Sequence, residues 1–222
     1  MALELVIFDC DGVLVDSEPL SNGVLADMLA ERGLQLTLAE ARAAFQGLLL
    51  EQVRVRAESL LGEPLPDGWI EEFVRRRSAV FAAELKPVPG AAALVRAVTD
   101  AGLSVCVASQ GRLRKTDRSL ALTGLDGLFP QRSRFSAEQV PRGKPHPDLF
   151  LLAAERMGAA PGACAVIEDT PSGVIAATRA GMCVYGYAAD SDEQALREAG
   201  ATTAHSLADV GRLLLGAHQP AG

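Results

Sequence analysis

Asp9-Cys10-Asp11-Gly12 follows directly on the apolar run Leu5-Val6-Ile7-Phe8. Side chains at i and i+2 of an extended segment point to one side, so Asp9 and Asp11 can converge on one point. Two carboxylates so placed are costly unless a cation is bound or one of them carries a proton. Asp and Gly also close many strands with a plain turn, so this segment does not decide alone. Three others weigh on it. Ala108-Ser109-Gln110-Gly111 ends a second apolar run with a hydroxyl and with backbone N–H groups entering a helix, which suits a phosphate oxygen. Glu168-Asp169-Thr170 ends a third with another acidic pair. Gly143-Lys144-Pro145-His146-Pro147-Asp148 holds one of only three lysines in the chain. Its prolines stiffen the backbone around Lys144, and Asp148 is expected to cap the helix that follows. Acid, hydroxyl and acid at strand ends, with a lysine on a rigid loop, form a constellation more specific than any one member.

Those segments need a frame that brings strand ends together. Residues 3–8, 103–108, 163–167 and 182–187 are short, partly β-branched apolar runs bounded by Gly, Pro or Asp, and are expected as strands. Helical patterns lie between them at 90–101, 113–123, 147–157, 172–180 and 192–199. Alternation of this kind means βαβ crossovers and an α/β fold with a mostly parallel sheet. Gly102, Gly158 and Gly181 each sit where a left-handed helix C-cap suits glycine. From Ser17 to about Leu85 the alternation stops, and helical patterns at 20–32, 38–45, 50–61 and 69–85 predict four helices. The expected organisation is a Rossmann-like core, residues 1–15 and 88–222, with a four-helix domain, 16–87, inserted over the C-terminal edge of the sheet, where open α/β folds bind ligands.

Composition narrows the partners. With 21 basic and 28 acidic residues the net charge is −7, and no long basic run offers the footprint a nucleic acid needs. Nearly half the chain, 49%, is apolar, enough to bury a core, and no run approaches a membrane span of about 18 residues. The first residues lack a basic n-region, so no signal peptide is expected. Cys10, Cys106, Cys164 and Cys183 form no CxxC pair and are expected as reduced, buried thiols. A soluble cytoplasmic protein, monomeric or weakly dimeric, is the expectation.

Asp9-Cys10-Asp11-Gly12-Val13-Leu14, Ser109, Lys144 within Gly-Lys-Pro-His-Pro-Asp, and Glu168-Asp169 together resemble the four signatures of the haloacid dehalogenase-like superfamily. They come in that family's order, in its subgroup with a helical cap after the first strand, and the likeness runs from Leu5 to about Leu215. The resemblance implies Asp9 as nucleophile, forming an aspartyl-phosphate, with Mg²⁺ and Lys144 cancelling the repulsion between carboxylate and phosphate. It implies Mg²⁺ on Asp9, the Asp11 carbonyl and Asp169, with Glu168 direct or through water. Asp11 would protonate the leaving alkoxide and then activate water, while Ser109 and the Gln110 N–H hold phosphate oxygens.

Members that cleave phosphonates carry alanine at the position of Asp11 and use a cap lysine, and segment 17–85 has no lysine. Phosphate-ester chemistry on a small phosphorylated metabolite is therefore expected, a sugar phosphate above others. A phosphosugar mutase of the β-phosphoglucomutase type is the alternative. Such mutases commonly carry a histidine where this chain has Ser21, and a basic residue just past the cap glycine, where Leu48-Leu49-Leu50 follow Gly47. An apolar cap is a costly place for a second phosphate. A non-catalytic binding protein has no need of Asp9, Asp11, Lys144 and Asp169 together. Among secondary candidates, Arg75-Arg76-Arg77 reads as a solvated helix face with one inward member, and Arg54 and Arg56 share that caution. His146, His205 and His218 have no ligand spacing. Cys10 is expected to point into packing, and Met28 and Met157 to fill the core.

Overall fold

The computed structural model describes residues 2–217, and His218 lies outside them. The chain divides into two compact units, Met1–Val15 with Pro87–Gly222, and Asp16–Lys86.

The first unit begins with β1 (Leu5–Phe8), all four residues of which are fully buried. A strand covered on both faces reads as a continuous apolar run, which is why this one is legible from sequence. The second unit holds α1 (Glu18–Ala30), α2 (Leu38–Phe45), α3 (Leu50–Leu61) and α4 (Trp69–Glu84). Its own core gathers Leu25, Met28, Leu29, Phe45, Trp69 and Phe73. Thr37 caps α2 through a reciprocal box with Glu40, whose N–H donates to the Thr37 hydroxyl at 3.2 Å. Such a cap contributes about 1 kcal/mol. The expected arginine face is neutralised within this unit. Arg75 and Arg76 pair with Glu72, Arg76 also with Glu31, and the inward member is Arg77, stacked 4.9 Å above the Phe73 ring. Arg54 binds Glu58 and the Leu65 carbonyl, a structural role; Arg56 is exposed.

The first unit continues with α5 (Ala91–Asp100), β2 (Ser104–Ser109), α6 (Leu113–Leu122), β3 (Arg134–Ser136), α7 (Asp148–Met157), β4 (Cys164–Glu168), α8 (Pro171–Arg179), β5 (Cys183–Tyr187), α9 (Glu193–Glu198), β6 (Thr202–Ala204) and α10 (Leu207–Ala217). Six strands form one sheet in the order β3-β2-β1-β4-β5-β6, every pair parallel. The chain thus winds outward from β1 in both directions, and β1, flanked by β2 and β4, is the switch point where such sheets open a crevice. Gly102, Gly158 and Gly181 take the expected left-handed conformation, with φ between 75° and 82°. Cys106 and Cys164 are buried in the sheet and Cys10 beside it, but Cys183 is exposed, against expectation, because it begins β5 at the open end of the strand. Met28 is buried, and Met157 packs against the edge of the core.

Candidate active site

Register brings the predicted residues together. Phe8 of β1 lies level with Val107 of β2 and Ile167 of β4. The C-terminal ends of these strands therefore lie at one edge: Asp9 just past β1, Ser109 at the end of β2, and Glu168 at the end of β4 with Asp169 just past it. Asp9 is pinned there by its N–H, which donates to the Ile167 carbonyl at 3.0 Å. β1 ends at Phe8, so Asp11 does not share an extended strand with Asp9 as expected. The chain folds back instead. The N–H groups of Leu14 and Val15 both donate to the Cys10 carbonyl, and Gly12 takes φ +82°, a region that L side chains rarely adopt. A Cβ on Gly12 would collide with the Asp169 carboxylate, so glycine is also what lets that acid approach.

Lys144 enters this cluster almost fully buried, its ammonium donating to Asp9 and, at 2.7 Å, to Glu168 Oε1. Burial pushes the Asp9 carboxyl up to about 7, with Glu168 and Asp11 adding to the rise and Lys144 opposing it. Burial alone would lower the Lys144 ammonium, but attraction to Asp9 and Glu168 more than offsets it and holds the group protonated. Each oxygen of Glu168 has protein partners, since Oε2 accepts from the Thr170 N–H at 2.7 Å and hydroxyl at 2.8 Å. Glu168 thus has the geometry of a holder of Lys144.

Ser109 is buried, and its Oγ accepts from the Gly111 N–H at 3.1 Å, leaving its hydroxyl proton to donate elsewhere. The Gln110 side chain accepts from the Lys144 N–H at 3.0 Å. Asp148 does not cap α7 as expected. Pro147 takes the cap position, and Asp148, first in the helix, binds Arg142 instead. His205 faces the Ala188 carbonyl and Glu193. Cys10 points into packing, and burial pushes its thiol well above the ordinary range.

Lys115 is the residue the motifs did not single out. Its ammonium pairs with Asp11, from the first turn of α6, six positions past Ser109. Its rarity was the available signal, since it is one of three lysines.

Asp9, Asp11 and Glu168 pair with the ammonium groups of Lys144 and Lys115, and the Asp169 carboxylate lies against Gly12, so that four carboxyl groups gather with two lysines. Among the described residues no three His, Cys, Asp or Glu side chains form a ready cage for an ion. Mg²⁺ takes hard oxygen ligands, usually keeps several waters and is held by one or two carboxylates. An all-oxygen donor set in which carboxyl groups outnumber lysines fits that ion.

The sequence model of the haloacid dehalogenase-like hydrolases matches residues 3–181. The 6-phosphogluconate phosphatase of Escherichia coli is 31% identical over 212 residues, 95% of this chain and 94% of that protein. A phosphorylated carbohydrates phosphatase of Thermotoga maritima is 30% identical over 201 residues, 90% of this chain and 92% of the other. The crystal structure of a HAD family hydrolase from Deinococcus radiodurans, with bound phosphate and sodium, superposes with a TM-score of 0.83 at 31% identity, covering 97% of this chain and 96% of that one. The acids, hydroxyl and lysine converge at the central strand ends of a fold shared with the Deinococcus radiodurans hydrolase, and the chain belongs to the haloacid dehalogenase-like hydrolases, as a phosphatase.

Proposed function

We propose that the protein is a Mg²⁺-dependent phosphatase acting on a small phosphorylated metabolite, a sugar or polyol phosphate, through a phosphorylated Asp9. The observation that carries the reading is the buried Lys144 ammonium shared between Asp9 and Glu168. A carboxylate attacking a phosphate dianion meets repulsion, and a fixed cation in a dry site offsets it far better than one in water. The names of the two phosphatases above support a phosphorylated carbohydrate as substrate.

Each residue then has a task. Asp9 attacks phosphorus and carries the phosphoryl group. Ser109, with its hydroxyl proton available, and the Gln110 N–H hold phosphoryl oxygens. Lys144, kept in place by Glu168, pairs with the charge that grows on those oxygens. Asp11 protonates the leaving alkoxide and then takes the proton of the attacking water. Bound Mg²⁺ would supply the remaining positive charge, on Asp9, the Asp11 carbonyl and Asp169, with Glu168 joining through water because its own oxygens already accept from Lys144 and Thr170. The helical unit, residues 16–86, is assigned the choice among substrates.

The test is phosphate release from a panel that includes 6-phosphogluconate, hexitol phosphates and glucose 1-phosphate. Release should vanish with chelator and return with Mg²⁺, and Ca²⁺ should inhibit. Asp9→Asn, verified folded by circular dichroism, should be inactive; near-normal turnover by that variant would refute the nucleophile. A parallel incubation of glucose 1-phosphate with a bisphosphate primer separates the mutase alternative. Glucose 6-phosphate accumulating without free phosphate would replace water as the acceptor.

A further inference from the structure

The Lys144 ammonium works only if its loop is held, and that loop has little regular structure. Between the end of β3 and the start of α7 the chain runs through turns, with the His146 N–H donating to the Gly143 carbonyl at 3.0 Å. At Lys144 and Pro145 two side chains from outside the loop hold its backbone. Arg179 donates to the Pro145 carbonyl at 3.0 Å from an exposed position, where a hydrogen bond competes with water. Gln110 accepts from the Lys144 N–H at 3.0 Å from a half-buried one.

Gly143 supplies a second, independent observation. Its backbone does not use the left-handed region, so no φ requirement explains a glycine there. A Cβ on it would instead lie 2.6 Å from Gln110 Oε1 and 2.7 Å from Nε2. The amide of Gln110 occupies the space a Gly143 side chain would need.

The geometry points to Gln110 as the positioning residue of Lys144: its side-chain carbonyl, seated on Gly143, fixes the backbone from which the ammonium reaches Asp9. Gln110 thereby couples the end of β2, where Ser109 sits, to the loop that carries the cation, so hydroxyl and ammonium keep one spacing. Only the kinetic part of this inference rests on the phosphatase reading; the contact itself does not. Asparagine, one methylene shorter, would fall short of the Lys144 N–H.

The contact is tested by amide hydrogen exchange, followed by ¹⁵N NMR on the whole chain. Gln110→Ala should speed exchange at the Lys144 N–H by about 10-fold, the loss of one hydrogen bond. In phosphate release the same variant should lose about 10-fold in kcat with KM held within about 3-fold, the signature of a group displaced from the transition state rather than from the bound substrate. Gly143→Ala, which pushes the amide off its seat, should give the same split. The double variant decides between positioning and general damage. With Gln110 truncated the three atoms nearest the new methyl are gone, so adding Gly143→Ala should cost less than about 2-fold more. Unchanged exchange at Lys144, or penalties that multiply in the double variant, would overturn the inference. If the parent chain released no phosphate from any substrate, the phosphatase reading would fail and the exchange arm alone would decide the contact.

Discussion

Asp9→Asn should make the metal-free protein more stable above pH 7, although it removes the proposed nucleophile. Asp9 is buried in a cluster with more acids than lysines, and its carboxyl is raised from 3.8 to about 7 by burial first, then by Glu168 and Asp11. An acid whose folded pKa is raised holds its proton in the native state after the unfolded chain has lost it. Stability from this group is therefore full below about pH 4 and is lost as pH rises through 7. A rise of about three units, at about 1.4 kcal/mol each, sets a ceiling of about 4 kcal/mol on the cost of the ionised form. Relaxation and water entry reduce such buried-charge costs, and about half the ceiling, about 2 kcal/mol, is the expected gain. Asparagine has the shape of the protonated acid, and Lys144 keeps Glu168 as partner at 2.7 Å.

The assay is thermal unfolding by circular dichroism in EDTA, wild type against Asp9→Asn, at pH 8 and pH 4.5. For a chain of this size about 2 kcal/mol corresponds to a rise of about 4–8 °C in Tm. That rise should appear at pH 8 and shrink at pH 4.5, where native Asp9 is protonated. Adding Mg²⁺ at pH 8 should stabilise the wild type more than the variant and narrow the gap. A variant less stable than wild type at pH 8, or a gap equal at both pH values, would refute the charge argument.

Three further changes bear on the same frame. Lys144→Met leaves Glu168 and Asp9 buried without their shared cation, and should cost about 3–5 kcal/mol in urea unfolding at pH 8 while abolishing phosphate release. Gly12→Ala places a side chain at φ +82° and against the Asp169 carboxylate; it should cost more than about 1 kcal/mol and raise the Mg²⁺ concentration needed for half-maximal activity. Arg134→Met removes a guanidinium that bonds Asp117 and the Phe129 and Asp126 carbonyls, and should cost about 2–3 kcal/mol with kcat per folded molecule unchanged.

The difference between what the sequence made legible and what it did not follows burial and length. β1, β2, β4 and β5 are apolar runs of four to six residues and stand out. β3 and β6 have three residues each, too few for a period to show. β3 is further hidden by Arg134, a buried charge that only its three oxygen partners make tolerable. α10 lies beyond the expected elements, although Leu207, Val210 and Leu214 carry helical spacing. The helices of 16–86 were legible within two residues at their ends because turns and glycines separate them. In the site, residue types were readable but pairings were not. That Lys144 bonds Glu168, that Gln110 seats on Gly143, and that Lys115 reaches Asp11 depend on register and loop conformation, which no local pattern encodes.

Sheet order explains why such a site can be assembled from four distant segments. Parallel strands send every C-terminal end to one edge, and β1, laid first and central, is flanked by β2 and β4, so Asp9 has Ser109 on one side and Glu168 on the other. Burial of those ends follows from covering the sheet on both faces, and the same burial has two consequences. It raises Asp9 toward neutrality, a cost in the metal-free protein, and it removes the water that would otherwise screen Lys144. A more exposed Asp9 would ionise without cost, but the repulsion of an incoming phosphate would then be met by a weaker, screened ammonium. On the proposed reading, the excess of acids that lowers stability in the metal-free protein is the same feature that would draw in a divalent cation, and the bound cation with Lys144 would then offset the charge of the phosphoryl group; removing acids to gain stability would remove that chemistry with them.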